Sequence, residues 1–200
     1  MARWDPGAED RLRRAAMDLY RERGFEHVSV AEITERAGLT RRTFFRYFAD
    51  KREVLFASSE LLPAALTEAV HDADPALDPL DVALRALRTL GVRVVERVEP
   101  EQSARRRAVI AASPELQERE RTKLAACTAA LRSALHERGV ADDTAQLVAH
   151  IGVAVFGAAL ARWSDGRGEI TRCFDHAVEE LAGHLGTLTA TRTRTGPVGA

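Results

Sequence analysis

Between Gly38 and Arg52 five basic side chains, Arg41, Arg42, Arg46, Lys51 and Arg52, stand against one acid, Asp50, in a 200-residue chain of formal net charge -1. Positive charge is therefore concentrated in one short segment. Aromatics interleave with it. Phe44 and Phe48 are four residues apart, so they share a helical face and can anchor it in a core, leaving Arg42, Thr43, Arg46 and Tyr47 to project elsewhere. An outward set of this kind suits a polyanion with readable edges. Arginine can bond a guanine edge at two points, threonine offers a hydroxyl and a methyl, and Lys51 beyond the helix is placed to hold a phosphate. The alternative for an isolated basic helix is a solvated charged face, and the residues in front of it decide between the two.

Those residues read as the elements needed to position such a helix. Gly38 sits where a preceding helix must stop and turn, and Thr40 can cap the next one. Before them, Glu9 to Arg23 carries Leu12, Ala15, Ala16 and Leu19 at helical spacing and closes at Gly24. Ser29 then caps a short segment, Val30 to Arg36, with Ile33 and Ala37 inward. Three helices within about fifty residues, the third exposed and basic, satisfy the requirements of a helix-turn-helix.

Phe25, Val28, Ser29, Val30, Ile33, Ala37-Gly38-Leu39-Thr40, Thr43-Phe44-Phe45, Tyr47-Phe48 and Lys51 together resemble the N-terminal signature of the tetracycline-repressor (TetR) family, over residues 9 to 56. The resemblance implies an all-α fold, with a helix-turn-helix DNA-binding head (residues 1–52) joined to a larger helical ligand-binding and dimerisation body (53–188). It implies phosphate contacts at Ser29 and Lys51, a cap at Thr40, base-reading or groove-facing roles for Arg41, Arg42, Thr43 and Arg46, and a mixed contact at Tyr47. Two positions depart from the pattern. Phe45 stands where the family usually has a tyrosine whose hydroxyl bonds a phosphate, so packing against the nucleic-acid backbone is what carries over. Arg42 replaces an often small residue and adds either a base contact or nonspecific charge.

Beyond the head, Glu53 to about His71 reads as one helix that Pro63 kinks or breaks, and Asp72 to Asp78 as a linker. Asp78-Pro79 then caps a helix running to Glu99-Pro100, and a shorter one starts at Ser103. Arg105, Arg106 and Arg107 there form a solvated face or neutralise an anionic ligand. Ser113-Pro114 opens a long helix that ends at Gly139, and Asp142 or Asp143 caps an apolar one rich in small residues. The last helix, Ile170 to Leu188, repeats Phe174, Val178, Leu181, Leu185 and Leu188 at heptad-like intervals. The segment 189–200 has no apolar periodicity and is expected to be a disordered tail.

Composition narrows the function classes. No run of about 18 apolar residues is evident, so no membrane span and no membrane partner is expected, and Met1 to Pro6 lacks the apolar run of a secretory signal. The expected location is the cytoplasm. With 27 arginines against two lysines, and 46% hydrophobic residues, the composition fits a bacterial protein with enough apolar material for a core. Cys127 and Cys173 read as packed reduced thiols or, alternatively, as redox sensors. Metal-protease, nucleophile-elbow, phosphate-loop and clustered-cysteine motifs are missing, so no catalytic residue, cofactor or metal site is assigned.

The expected activity is that of a sequence-specific DNA-binding transcriptional regulator, a homodimeric, ligand-released repressor on a palindromic double-stranded operator. A ligand-independent regulator, an activator of the same fold and an all-helical enzyme are the alternatives. The expected dimer interface, a four-helix bundle implied by the resemblance, takes Leu147, Ile151, Ala154, Ala158, Phe174, Val178, Leu181 and Leu185. A pocket for a small apolar or amphipathic ligand is assigned to Leu87, Leu90, Val94, Val109, Leu124, Cys127, Leu131 and Phe156, residues that an ordinary core would use equally. His150 reads as a core or interface histidine or as a further ligand contact.

Overall fold

The computed structural model describes residues 7–56, 60–96 and 98–194, with side chains described as far as Thr187. Among the described residues the chain is all-α, with no strand: α1 (Ala8–Arg23), α2 (Val30–Ala37), α3 (Arg41–Tyr47), α4 (Glu53–Phe56), α5 (Leu62–His71), α6 (Pro79–Val95), α7 (Pro100–Ala111), α8 (Pro114–Glu137), α9 (Asp142–Ser164) and α10 (Ile170–Arg194). Two compact units share these helices, one built from 1–63 and 102–126, the other from 64–101 and 127–200. This division differs from the boundary expected at residue 52. Val109, Ile110 and Leu116 join the core of the first unit, which no pattern within residues 1–52 announces.

That first core is built on α1, whose Leu12, Ala15, Ala16 and Leu19 are all buried, as their spacing requires. Phe25, Val28, Ile33, Phe44, Phe48 and Phe56 pack with them. Arginines brace the rim. Arg13 donates to the Val54 carbonyl at 3.0 Å and lies 5.2 Å from the Phe48 ring centre. Arg106 donates to the Leu55 carbonyl (2.8 Å) and to Glu120 (3.0 Å), and it covers the fully buried Phe56 ring at 5.0 Å. Arg106 is thus a structural link, while Arg105 and Arg107 are exposed.

In the second unit α6, α9 and α10 pack on one another. The α6–α9 approach is close: a Cβ on Gly152 would lie 2.8 Å from Leu87 Cδ1, so the absence of a side chain there is what admits the buried leucine. Arg88 of α6 pairs with Asp175 of α10. Arg138, just past α8, ties down the end of α5 by donating to the carbonyls of Val70, Ala73 and Asp74 at 2.8 to 3.0 Å.

Several sequence expectations are corrected. Pro63 falls at the second position of α5, in the first turn where its missing N–H needs no acceptor, so it opens a helix and kinks none. α7 begins at Pro100, not Ser103. Neither aspartate caps α9: its N-cap is Ala141, with no side-chain bond, and Asp142 pairs with Arg132 at 2.7 Å. The tail expected from residue 189 is helical as far as Arg194, because extending a formed helix needs no new nucleus; residues 195–200 lie outside the described set. Finally, α9 is long and apolar enough to cross a membrane, although no such run was expected. One face of it carries Val148, Gly152, Val155, Phe156 and Ala159, buried within the unit.

Candidate nucleic-acid interface

The path from α2 to α3 is set by local hydrogen bonds. At its start Ser29 forms a full capping box: its Oγ accepts from the Glu32 N–H at 3.3 Å, and the Glu32 carboxylate accepts from the Ser29 N–H at 2.9 Å. The Ser29 hydroxyl also donates to the same carboxylate at 2.7 Å, and this bond first, then that from the Ser29 N–H, holds the Glu32 carboxyl below its usual range. At the other end Gly38 adopts φ 64°, ψ 36°, a left-handed conformation that costs other residues about 1 kcal/mol. Its N–H and that of Leu39 close onto the carbonyls of Glu35 (3.1 Å) and Thr34 (2.9 Å). The chain then enters α3 at Thr40, whose Oγ1 accepts from the Thr43 N–H at 3.2 Å.

α3 places its residues by helical spacing. Phe44 and Phe48 are fully buried with ring centres 5.4 Å apart, and Phe45 meets Phe44 edge-on at 5.4 Å while remaining 56% exposed. Arg41, Arg42 and Arg46 are exposed; Thr43 and Tyr47 are half-buried. The Arg46 guanidinium is oriented by its neighbour, donating to Tyr47 Oη at 3.0 Å and lying 4.8 Å from the ring centre. Thr40 and Thr43 hydroxyls are 3.0 Å apart.

The remaining basic residues of the segment are held by partners within the first unit. Lys51 Nζ donates to the carbonyls of Phe25 (2.9 Å), Val28 (3.0 Å) and, more weakly, Glu26 (3.5 Å), and lies 4.3 Å from the Phe25 ring centre. An ammonium has three donors, and all three point at the turn between α1 and α2. Tyr20 Oη donates to the Lys51 carbonyl at 2.6 Å, and burial pushes its phenol pKa well above the ordinary value. Arg52 pairs with Asp50 and Glu115. Burial raises the Asp50 carboxyl, but hydrogen bonds from the Arg52 side chain and from the N–H groups of Arg52 and Glu53 outweigh it, leaving the group below its usual range. The sequence charge of the segment thus resolves into Lys51, clamped inward, Arg52, paired at the surface, and an outward arginine triad on α3.

Sequence reasoning missed the contacts that hold this interface from behind. Glu26 accepts a hydrogen bond from the buried Ser113 hydroxyl at 2.7 Å, across 87 residues of sequence. Arg36 bridges to Glu22 at 2.8 Å, and Arg23 to Glu32 at 2.8 Å. Opposite charges on neighbouring helices were the available signal for the last two; none marked Ser113.

The other predicted sets divide. Leu87, Leu90, Cys127, Leu131 and Phe156 are buried and Val94 half-buried, all in the second unit. Val109 instead completes the core of the first unit, and Leu124, half-buried, falls in the same unit outside that core. His150 is exposed, its Nδ1 2.7 Å from the Gln146 carbonyl oxygen of its own helix. Periodicity identifies a shared face but not the neighbour it meets. Of the interface set, Leu147 (61% exposed), Ala154, Ala158 and Leu185 are exposed, and Ile151, Val178 and Leu181 are half-buried. Phe174 is buried within its unit and is a core residue. Among the described residues no group of histidine, cysteine and carboxylate side chains could hold a metal ion.

Comparison with known proteins places this geometry. Residues 12–57 match the family model for bacterial regulatory proteins of the tetR family. The chain is 34% identical over 85 residues to the HTH-type transcriptional regulator TcmR of Streptomyces glaucescens, covering 42% of this chain and 38% of that protein. It is 32% identical over 102 residues to a mycofactocin biosynthesis transcriptional regulator, MftR, of Mycobacterium tuberculosis, covering 51% of this chain and 50% of that one. The matched regions therefore span half or less of these curated relatives. The fold as a whole is shared with NalD, the secondary repressor of a multidrug efflux pump in Pseudomonas aeruginosa (TM-score 0.57, 18% identity, 86% of this chain and 93% of that one), and with SmeT in a triclosan complex (TM-score 0.57, 16% identity, 87% and 91%). What this chain shares with the tetR family of bacterial regulatory proteins is therefore the sequence of its head, residues 12–57, and, with NalD and SmeT, an all-α fold.

Proposed function

We propose that the protein is a sequence-specific DNA-binding transcriptional regulator, a homodimeric, ligand-released repressor on a palindromic operator in the bacterial cytoplasm. The observation that carries this reading is the outward face of α3, where Arg41, Arg42 and Arg46 are exposed on a helix whose opposite face, Phe44 and Phe48, is locked in the core. A short rigid helix with three guanidiniums matches a major groove, where arginine bonds guanine O6 and N7 together. Thr43 and Tyr47 border that face, and Ser29 and Thr40 act through the caps they form.

Two copies would bring two heads to one duplex. The exposed apolar strip of Leu147, Ala154 and Ala158 on α9, with Leu185 on α10, supports pairing of these helices with those of a second copy, in a body spanning residues 53–188. Half-sites would then be inverted repeats on successive major grooves. The ligand reading rests on the apolar set of Leu87, Leu90, Leu131 and Phe156, and on SmeT, a protein of the same fold solved with triclosan. A small apolar molecule that binds better to a conformation with heads misplaced for adjacent grooves lowers DNA affinity by the ratio of its two affinities.

The test is selection of genomic DNA fragments by the purified protein, with a Thr43→Ala/Arg46→Ala variant alongside. Enrichment of one inverted-repeat site that the variant loses supports the reading. No enrichment by the folded, ligand-free protein contradicts it.

A further inference from the structure

Phe45 is the one aromatic ring of α3 with more than half its surface exposed, while Phe44 and Phe48 on either side of it are fully buried. The phenyl group has no polar atom, and it is braced edge-on by Phe44 at 83°. Helical spacing sets Arg41 and Arg42 one turn N-terminal to it on the same face, and Arg46 follows it directly. The ring therefore sits inside the arginine triad, where a polyanion would be drawn down onto it. A hydrocarbon ring in that place adds nothing to phosphate binding through hydrogen bonds. What the major groove offers to an apolar group is the C5-methyl of thymine, displayed beside the guanine O6 and N7 that arginine selects.

We infer that Phe45 is a specificity-determining residue that reads a thymine C5-methyl in each operator half-site, next to a base pair contacted by an arginine of the same face. The inference rests on the proposal that α3 enters the major groove, and it departs from a role for Phe45 confined to packing on the DNA backbone. Its signature is unusual among contacts: one methyl group should matter, and the base's hydrogen-bonding pattern should not. Burying a methyl-sized group carries a factor of about four in affinity. Replacing the contacted thymine by deoxyuridine, which keeps every hydrogen-bonding group, should therefore cost about fourfold per half-site and about fifteenfold when both are replaced.

The experiment uses the full-length protein and a random duplex library. Wild type and Phe45→Ala are each taken through selection, and the thymines of the wild-type site are then replaced one at a time by deoxyuridine in binding titrations. Because Phe45 is exposed, the variant should keep its helical content and melting temperature, which circular dichroism checks. Expected are a thymine preference at one half-site position that the variant loses while keeping its guanine preference, and one deoxyuridine position that weakens wild type but not Phe45→Ala. A selected site whose deoxyuridine versions all bind wild type within twofold overturns the inference and leaves the proposed function standing. So does an equal loss from Phe45→Ala on every sequence, which is the behaviour of a backbone contact. If wild type selects no sequence at all, both fall.

Discussion

Removing the Lys51 ammonium separates two roles that its position alone cannot. In Lys51→Met the stem over the Phe25 ring is largely kept, while the Phe25 and Val28 carbonyls lose charged donors at 2.9 and 3.0 Å, and the third bond, at 3.5 Å, counts for little. Hydrogen bonds to a charged group are worth about 1.5–3 kcal/mol each when one partner is lost, and these two share a half-buried setting with water nearby. A combined loss of about 2–3 kcal/mol follows, with the cation over the Phe25 ring at 4.3 Å contributing within it. For a chain of this size that lowers the melting temperature by about 5–10 °C. DNA binding should weaken on specific and random sequences alike, since Lys51 holds the turn that aims α2. The salt dependence of binding should stay as it is, because no phosphate contact is lost. Thermal melts and titrations over a salt series measure both. An unchanged melting temperature together with a log–log salt slope shallower by about two per dimer would make Lys51 a phosphate ligand and refute the inward clamp.

Gly152→Ala should destabilise the protein by about 1 kcal/mol: helix propensity favours alanine by about that much, but overpacking against the buried Leu87 at 2.8 Å costs about 1–3 kcal/mol. A higher melting temperature would mean that Leu87 has room to move. Leu147→Glu, at a position 61% exposed in the single chain, should leave folding intact and convert a dimer to monomers by light scattering; a dimer that survives would place the interface elsewhere. The Glu32 and Asp50 carboxyls both sit below their usual range when folded, so the stability they contribute is complete above the ordinary carboxylate pKa and disappears as pH falls through the folded values. Melting temperature should therefore fall below about pH 4, and Ser29→Ala, which removes the strongest bond to Glu32, should show the shallower acid slope. An identical slope in both proteins would contradict the capping box as its source.

The interface was legible where it depends on neighbours in sequence. Gly38 and Thr40 announce a stop and a start, and the four-residue spacing of Phe44 and Phe48 dictates which side of α3 is buried. Hydrogen bonding between distant segments was not legible. Lys51 read as a phosphate contact, with nothing to announce the carbonyls of Phe25 and Val28 around it, and Arg106 read as part of a basic run, with nothing to announce Leu55 and Glu120. In the second unit the apolar periodicity of α6, α9 and α10 gave the right faces without their partners. Phe174 and Leu147 both lie on apolar stripes, yet the first is buried within one chain and the second is open. At Pro63 the sequence left a kink and a break both open, because a proline's effect depends on its distance from the start of a helix, and only the structure shows that α5 begins one residue before it.

The central claim is that α3 reads bases through its outward arginines. Affinity of wild type and Arg46→Ala, measured in parallel on the selected site and on random duplex of equal length and at one salt concentration, tests it most directly. The variant should lose about 1–3 kcal/mol on the selected site, much less on random DNA, and its preference at one base pair. Equal losses on both DNAs would reduce the arginine face to a nonspecific phosphate contact and contradict the account.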